Sequence, residues 1–338
     1  MDSIPLLRFL FAGQLRRDHI ITSSGKPLLD IPGGNLLYSA AGLGVWEKDV
    51  GLISRASQDY PQEWLEQISK VGFDRRGIRI LPELFDQRNF VVYSDQDTRF
   101  SDTPISHFAR LGFPFPKSLL GYTAPSQQID SKTQPTSRTV RLNDFPPDYL
   151  DATAAHLCPL DFLSHTLLPS ALRQGRISTI TIDPSPGYMN PTFWDELPKI
   201  VHGISAFISS EEKIANLFRG RSSDPWEMAE YLGSLGCEII VLKRGARGQY
   251  LYNHSNHTHW MVPAYPVRMA DPTGCGDAFC GGFLAGYHKT YDPLTAVLYG
   301  NISASLMIEG SGPYFALDTL PGLACARLEA LEGMVRKV

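Results

Sequence analysis

The sequence predicts one large α/β domain built on a mostly parallel sheet, and three observations carry that expectation. At 338 residues the chain can bury a substantial core, enough for one large α/β domain or two smaller ones. The short run Leu6–Ala12, apolar but for Arg8, stops at Gly13, the form a strand takes when both faces of its sheet are covered. Strand-like and helix-like stretches then alternate, an order that favours parallel strands joined by right-handed crossovers.

Composition narrows the function classes. Lys and Arg number 31 against 35 acidic residues, a formal net charge of -4, and no basic run tracks a nucleic-acid backbone, so nucleic acid is not an expected partner. Five scattered cysteines, with no C-x-x-C pair, suit a reducing, cytoplasmic compartment better than a disulfide framework. The opening MDSIPLLRFLFAG is too short in its apolar part to span a bilayer and lacks a basic start with a clean cleavage site, so no membrane role is expected.

Taken in order, Val50–Arg55 predicts a second strand and Pro61–Val71 an amphipathic helix with Trp64, Leu65, Ile68 and Val71 on one side. Phe90–Ser94 predicts another strand. Over residues 101–141 both periods fade into a Ser-, Thr-, Pro- and Gln-rich stretch, which predicts a polar insertion that is disordered or lies on the surface. Strands return at Ala154–Cys158, Ile177–Asp183, Ala206–Ser210 and Gly236–Arg244. Helices are expected over Glu211–Arg219 and Pro293–Glu309.

Chemistry-bearing residues gather where these strands end, the edge at which open α/β sheets bind ligands. Asp18 follows the first strand and reads either as a hydroxyl-gripping carboxylate or as a solvated loop residue. In DIPGGNLLYSAAGLGV, Gly33 and Gly34 read either as a plain turn or as a place where substrate lies against bare backbone. Glu211 and Glu212 open a predicted helix, where they either favour its dipole or hold Mg²⁺ through water. His254, His257 and His259 sit at a polar hairpin tip with no convergent fourth ligand, so no zinc site is expected.

The richest stretch is Ala270–Tyr287, ADPTGCGDAFCGGFLAGY. Gly274, Cys275 and Gly276 are small enough for backbone to approach a ligand closely, and the N–H groups that open the following helix have no intrahelical acceptor. Such a terminus binds anions. Asp277 stands in the first turn, where it either complements the dipole or accepts a proton from a hydroxyl during phosphoryl transfer.

DPTGCGDAFCGGF closely resembles the second signature of the ribokinase or PfkB carbohydrate-kinase family, D-T-x-G-A-G-D-x-F-x-G-G-F. The resemblance implies a ribokinase-like three-layer sandwich, a mostly parallel central sheet with a small β lid. Asp277 falls on the family's catalytic base and Gly274, Cys275 and Gly276 on its anion hole, with Cys275 replacing the usual Ala. GQLRRDHII has the form of the family's strand, Gly and hydroxyl-binding Asp, which gives Asp18 that role. DIPGG and its helix resemble the first signature that lines the sugar pocket, with Tyr38 standing where the family usually has Asn. Arg99 falls where family members carry a lid arginine. The lid itself is expected near residues 14–32 and 84–142.

Further correspondences fall on the donor side. KRGARGQYLY resembles the nucleotide-side segment K-x-G-x-x-G, with Lys243, Gly245 and Gly248 in register, although a hairpin turn explains the same glycines. The last long helix, with Asn301 and Ser303, is implied to flank the adenine. The backbone of Asp271, Thr273, Met307 and Gly312 is implied to surround a monovalent cation, K⁺. The metal-organising N-x-x-E motif is altered to SSEEKIANLF, with Ser210 in the Asn place and Glu212 the nominated Mg²⁺ acid; Ser185 likewise replaces an Asn after Asp183.

The sequence therefore predicts transfer of the ATP γ-phosphoryl group, with Mg²⁺, to a hydroxyl of a sugar or sugar-like molecule. Two alternatives stay open: a nucleoside acceptor, with aromatic residues stacking the base, and a non-catalytic binding or regulatory protein that kept the fold. A homodimer through the lid is compatible with both.

Overall fold

The structure is a computed structural model that describes residues 7–94, 98–124 and 129–337. The first apolar run forms β1 (Phe9–Ala12), which is buried along its whole length. Phe9 and Phe11 enter one core cluster while Leu10 and Ala12 enter another, so the strand has a helical layer on each face and no polar side to display. Leu6, the first residue of the predicted strand, lies outside the described residues.

The chain leaves the main sheet for β2 (Arg16–Ile21) and β3 (Pro27–Gly33) and turns into α1 (Asn35–Gly44). It returns with β4 (Val50–Ser57), α2 (Gln62–Lys70) and β5 (Asp74–Leu81). No sequence signal had marked β5. It is an edge strand, DRRGIRIL, whose charges blunt pairing with another chain and mask its apolar period. Next come β6 (Arg88–Tyr93), β7 (Arg99–Phe100) and α3 (Pro104–Arg110).

The second half alternates regularly through β8 (Ala154–Leu157), α4 (Phe162–Leu172), β9 (Thr179–Ile182) and α5 (Leu197–Val201). It continues through β10 (Ala206–Ser210), α6 (Glu211–Leu217), α7 (Pro225–Ser234) and β11 (Ile239–Lys243). An antiparallel extension, β12 (Gln249–Asn253) and β13 (Thr258–Val262), leads to α8 (Cys275–Thr290), α9 (Pro293–Met307), α10 (Leu323–Glu332) and β14 (Arg336–Lys337).

The main sheet runs β14-β13-β12-β11-β10-β9-β8-β1-β4-β5. Every pairing from β11 to β5 is parallel, and β11 to β14 pair antiparallel. Helices α4 to α7 cover one face; α1, α2, α8 and α9 contribute to the other. The layers are three, as a ribokinase-like sandwich requires. Helices α1 and α8 meet with almost no gap. A Cβ on Gly42 would lie 2.1 Å from the Ala278 carbonyl oxygen, and one on Gly281 1.9 Å from that of Ser39. That contact fixes the glycine turn before α1 beside the glycine loop before α8.

A second sheet, β3-β2-β6-β7, stands beyond the carboxyl end of β1. Residues 101–124 and 129–141 are mostly exposed, yet they carry more regular structure than the loss of both periods suggests; residues 125–128 lie outside the described residues. Helix α3 and a short turn at Lys117–Leu119 cover one face of this sheet, where Phe108 and Leu119 pack on Ile21, Phe90 and Val92. A seven-residue helix has too few turns for its period to register in the sequence. Residues 129–144 form an anchored strap. Phe162 N–H donates to Asp130 Oδ2 at 2.9 Å, Val140 N–H to Ser164 Oγ at 2.9 Å, and the buried Arg55 and Asp144 side chains pair at 2.7 and 3.0 Å.

Candidate active site

The site lies where the second sheet faces the openings of α1 and α8. Asp18, on β2, is 1% exposed. Its Oδ1 accepts a 3.0 Å bond from Asn89 on β6, and the Gly34 N–H also serves the carboxylate. Gly33 is glycine because a Cβ there would fall 1.8 Å from Asp18 Oδ2. Burial pushes the Asp18 carboxyl up to about 6, against the opposing pull of Asn89 and Arg16. Asp18 is thus a desolvated acid held by an amide, and the solvated-loop reading does not apply.

Tyr38 projects from the first turn of α1 and is 2% exposed. Gly274, at φ +73, caps α8, and a Cβ on it would fall 2.1 Å from the Tyr38 ring carbons. Both the left-handed backbone and this close approach require glycine. The ring is therefore committed to the wall behind the loop and is not offered as a stacking platform. Its hydroxyl is buried with no hydrogen-bond partner among the described residues.

At the opening of α8, the N–H groups of Gly274 and Asp277 take no protein acceptor among the described residues, and that of Gly276 has only the Cys275 sulfur near it. The Cys275 N–H turns back to the Pro272 carbonyl at 3.3 Å. Burial pushes the Asp277 carboxyl up to about 6; the nearby Asp183 charge adds to the shift, while Lys243, Lys213 and Arg99 oppose it. From the second sheet, the Tyr93 hydroxyl accepts a 3.1 Å bond from Thr273 Oγ1, tying β6 to the loop. Arg99 is exposed on β7 and lies close enough to act on the Asp277 carboxyl.

Behind the loop is a cluster that the sequence reading missed. Asp183 follows β9, and its two oxygens are divided between Lys213 on Oδ1 and Lys243 on Oδ2, the latter at 2.6 Å. Burial would raise the Asp183 carboxyl, but the two ammonium groups hold it at about 2. Lys243 also donates to the Gly276 carbonyl at 2.9 Å, and its own proton is held more tightly despite burial because Asp183 is beside it. A signal for Lys213 was present. Counting from Ser210 in N-x-x-E puts a lysine in the acid's place, and a lysine in a helix's first turn runs against the dipole.

The comparisons with known proteins bear on this geometry. Residues 154–320 match the model of the pfkB family carbohydrate kinases. That stretch of the chain belongs to the PfkB family. It is 27% identical over 291 residues to a cytidine kinase of Thermococcus kodakarensis, a match that covers 84% of this chain and 90% of the relative. A nucleoside kinase of Burkholderia thailandensis, solved with inosine, superposes at a TM-score of 0.68 with 19% identity, covering 96% of this chain and 98% of the other. An Escherichia coli structure described as a ribokinase II, solved with ATP and Mg²⁺, superposes at 0.67 with 19% identity, covering 97% of this chain and all of the other. The two superpositions place the fold among the ribokinase-like sandwiches.

Several donor-side residues are engaged within the protein. Asn301 is buried and fully engaged: its Oδ1 accepts from Tyr265 N–H at 2.9 Å, and its Nδ2 donates to Gln249 Oε1 and the Pro263 carbonyl at 2.8 Å each. Ser303 accepts from Trp46 Nε1 at 2.8 Å and donates to the Gly42 carbonyl at 2.7 Å. Both are internal braces, with their hydrogen-bonding groups spent inside the protein. Lys243 is likewise turned under the loop, where Asp183 and the Gly276 carbonyl hold it. Gly245 and Gly248, at φ +56 and +83, form the tight connection between antiparallel β11 and β12, the hairpin alternative.

The acids are distributed unevenly for a metal. Glu211 is paired with Arg244 and Arg247, and Asp183 with two lysines. Glu212 is exposed, and no ion pair holds it among the described residues. No cluster of three or more metal-ligating side chains occurs among the described residues, at the hairpin tip or elsewhere. There Tyr252 meets His254 and His257, and His259 pairs with Glu230 at 2.9 Å. Near the end of α9, the Ala270 and Asp271 N–H groups bond to the Ile308 carbonyl, bringing Asp271 and Thr273 beside the turn that holds Met307 and Gly312. Asp271 Oδ2 is buried there with no partner among the described residues. No helix among the described residues is long and apolar enough to cross a membrane.

Proposed function

We propose that the chain transfers the terminal phosphoryl group of ATP to a hydroxyl of a sugar or of a nucleoside's sugar. The observation that carries this is Asp277: a carboxyl pushed up to about 6, at the mouth of a helix with unclaimed N–H groups, on the same site as a second desolvated acid, Asp18. Asp18, with Asn89 and the bare backbone of Gly33 and Gly34, orients the acceptor. The ionised Asp277 removes the proton of the attacking hydroxyl as its oxygen bonds to the γ-phosphorus and the bond to the bridging oxygen of ADP breaks. N–H groups of the Gly274–Asp277 turn stabilise the charge spreading over the transferred group. Mg²⁺ supplies charge neutralisation on the phosphates, with Glu212 the acid available to it through water. K⁺ is supported by the unpartnered Asp271 oxygen beside the carbonyls of its turn.

The relative named a cytidine kinase and the nucleoside kinase solved with inosine support a nucleoside as the acceptor, with recognition through the ribose hydroxyls rather than by stacking on Tyr38. The second-sheet strands β3 and β7 present exposed Leu29 and Phe100, which supports dimerisation through that sheet; light scattering reads it. Acceptor-dependent ADP formation from ATP and Mg²⁺ tests the reading across cytidine, inosine, ribose and fructose. The expected result is ADP with at least one acceptor, lost in Asp277→Asn. Bound ATP with no acceptor-dependent ADP anywhere favours a non-catalytic protein.

A further inference from the structure

The Asp183 cluster holds one more positive charge than negative. Lys213 and Lys243 share a single carboxylate, and each of its oxygens already receives an ammonium. Two cations at hydrogen-bond distance repel a divalent ion, so Asp183 is not a place for Mg²⁺. An ammonium has three N–H donors. Lys243 directs its own to Asp183, the Gly276 carbonyl and the Cys280 sulfur, at 2.6, 2.9 and 3.4 Å. Lys213 donates to Asp183 and, at 2.7 Å, to the Pro184 carbonyl, which leaves one donor without an acceptor among the described residues. Its side chain is 16% exposed, so a ligand can reach it. The Lys243 bond to the Gly276 carbonyl and the shared Asp183 carboxylate set the pair against the loop that opens α8.

We propose that Lys213, seated on Asp183 beside Lys243, is an anion-binding residue that takes the phosphate chain of the phosphoryl donor. Where an acid would recruit a metal to that chain, this protein presents a cation of its own. The donor being a nucleoside triphosphate rests on the kinase reading above; the anion seat itself rests on the cluster. Tight placement by Asp183 makes the charge effective, because an ammonium already oriented loses little freedom on meeting a phosphate.

The test is equilibrium binding of ATP, tripolyphosphate and adenosine, each with EDTA and with Mg²⁺, to wild type, Lys213→Met and Lys213→Arg. Loss of the charge is expected to weaken ATP and tripolyphosphate by about tenfold or more in EDTA, with adenosine unchanged and Arg restoring most of the affinity. Equal ATP affinity in a folded Lys213→Met protein overturns the proposal. So does a matching loss of adenosine binding, which marks a merely structural brace. If Lys213→Met does not fold, Lys213→Gln keeps a donor to Asp183 without the charge and is read the same way. Charge-dependent binding with no turnover on any acceptor sinks the kinase reading and keeps the seat. Turnover with an unchanged KM for ATP in Lys213→Met does the reverse.

Discussion

Asp277→Asn tests function and energetics together, because it removes the charge and keeps the shape. The carboxyl titrates at about 6 in the folded chain against an ordinary 3.8, so the fold prefers its protonated form. The sign follows directly. A raised acid contributes nothing below its unfolded pKa, and above its folded pKa its ionised form costs stability. The difference of about two units corresponds to about 3 kcal/mol at most at pH 8, and to about half of that at pH 5. Asn mimics the protonated form, so the variant should be the more stable protein at pH 8, melting about 2–4 °C higher, with a smaller gain at pH 5. Turnover should fall by about 10²–10⁴-fold. Paired denaturant curves at the two pH values and an ADP-release assay measure both effects. A variant that is less stable at pH 8, or that turns over normally, refutes the assignment of a strained general base.

Other outcomes follow from the same geometry. Because burial pushes both Asp18 and Asp277 to about 6, kcat/KM should fall through pH 6 with a two-proton limb, and Asp18→Asn should reduce it to one proton; an unchanged limb removes Asp18 from the titration. Gly274→Ala meets the Tyr38 ring and a left-handed φ, so it should cost about 3 kcal/mol, falling to about 1–2 kcal/mol in a Tyr38→Ala background where only the backbone cost remains. Additive costs in denaturant melts contradict the contact. Asp144→Ala leaves the mostly buried Arg55 guanidinium with the Ser137 carbonyl but no carboxylate and should destabilise by about 3 kcal/mol, whereas a loss under about 1 kcal/mol marks the strap as dispensable.

Much of this was legible in the sequence for reasons that can be named. Parallel strands buried on both faces leave continuous apolar runs, and β1 and β11 stood out accordingly. The glycine loop was legible because backbone approach and a positive φ at Gly274 leave few residue types to choose from. What escaped depends on long-range placement. Edge strand β5 carries charges in place of a pattern, and α3 is too short to show a period. Asn301 and Ser303 carry polar groups that suit a ligand as well as a carbonyl, and only the packing of α9 on α1 and the 249–265 segment assigns them inward. Lys213 reaches Asp183 across 30 positions of sequence, and no local motif announces that ion pair.

The central claim is that a hydroxyl beside Asp277 receives the terminal phosphoryl group of ATP. Phosphorus NMR of the protein with ATP, Mg²⁺ and each acceptor, cytidine first, tests it most directly, with Asp277→Asn as the companion sample. The account predicts a new phosphomonoester resonance, proton-coupled through the acceptor's carbon, growing as the γ-phosphate signal declines, and absent from the variant. Bound ATP with no ester from any acceptor, or an ester formed equally well by Asp277→Asn, contradicts it.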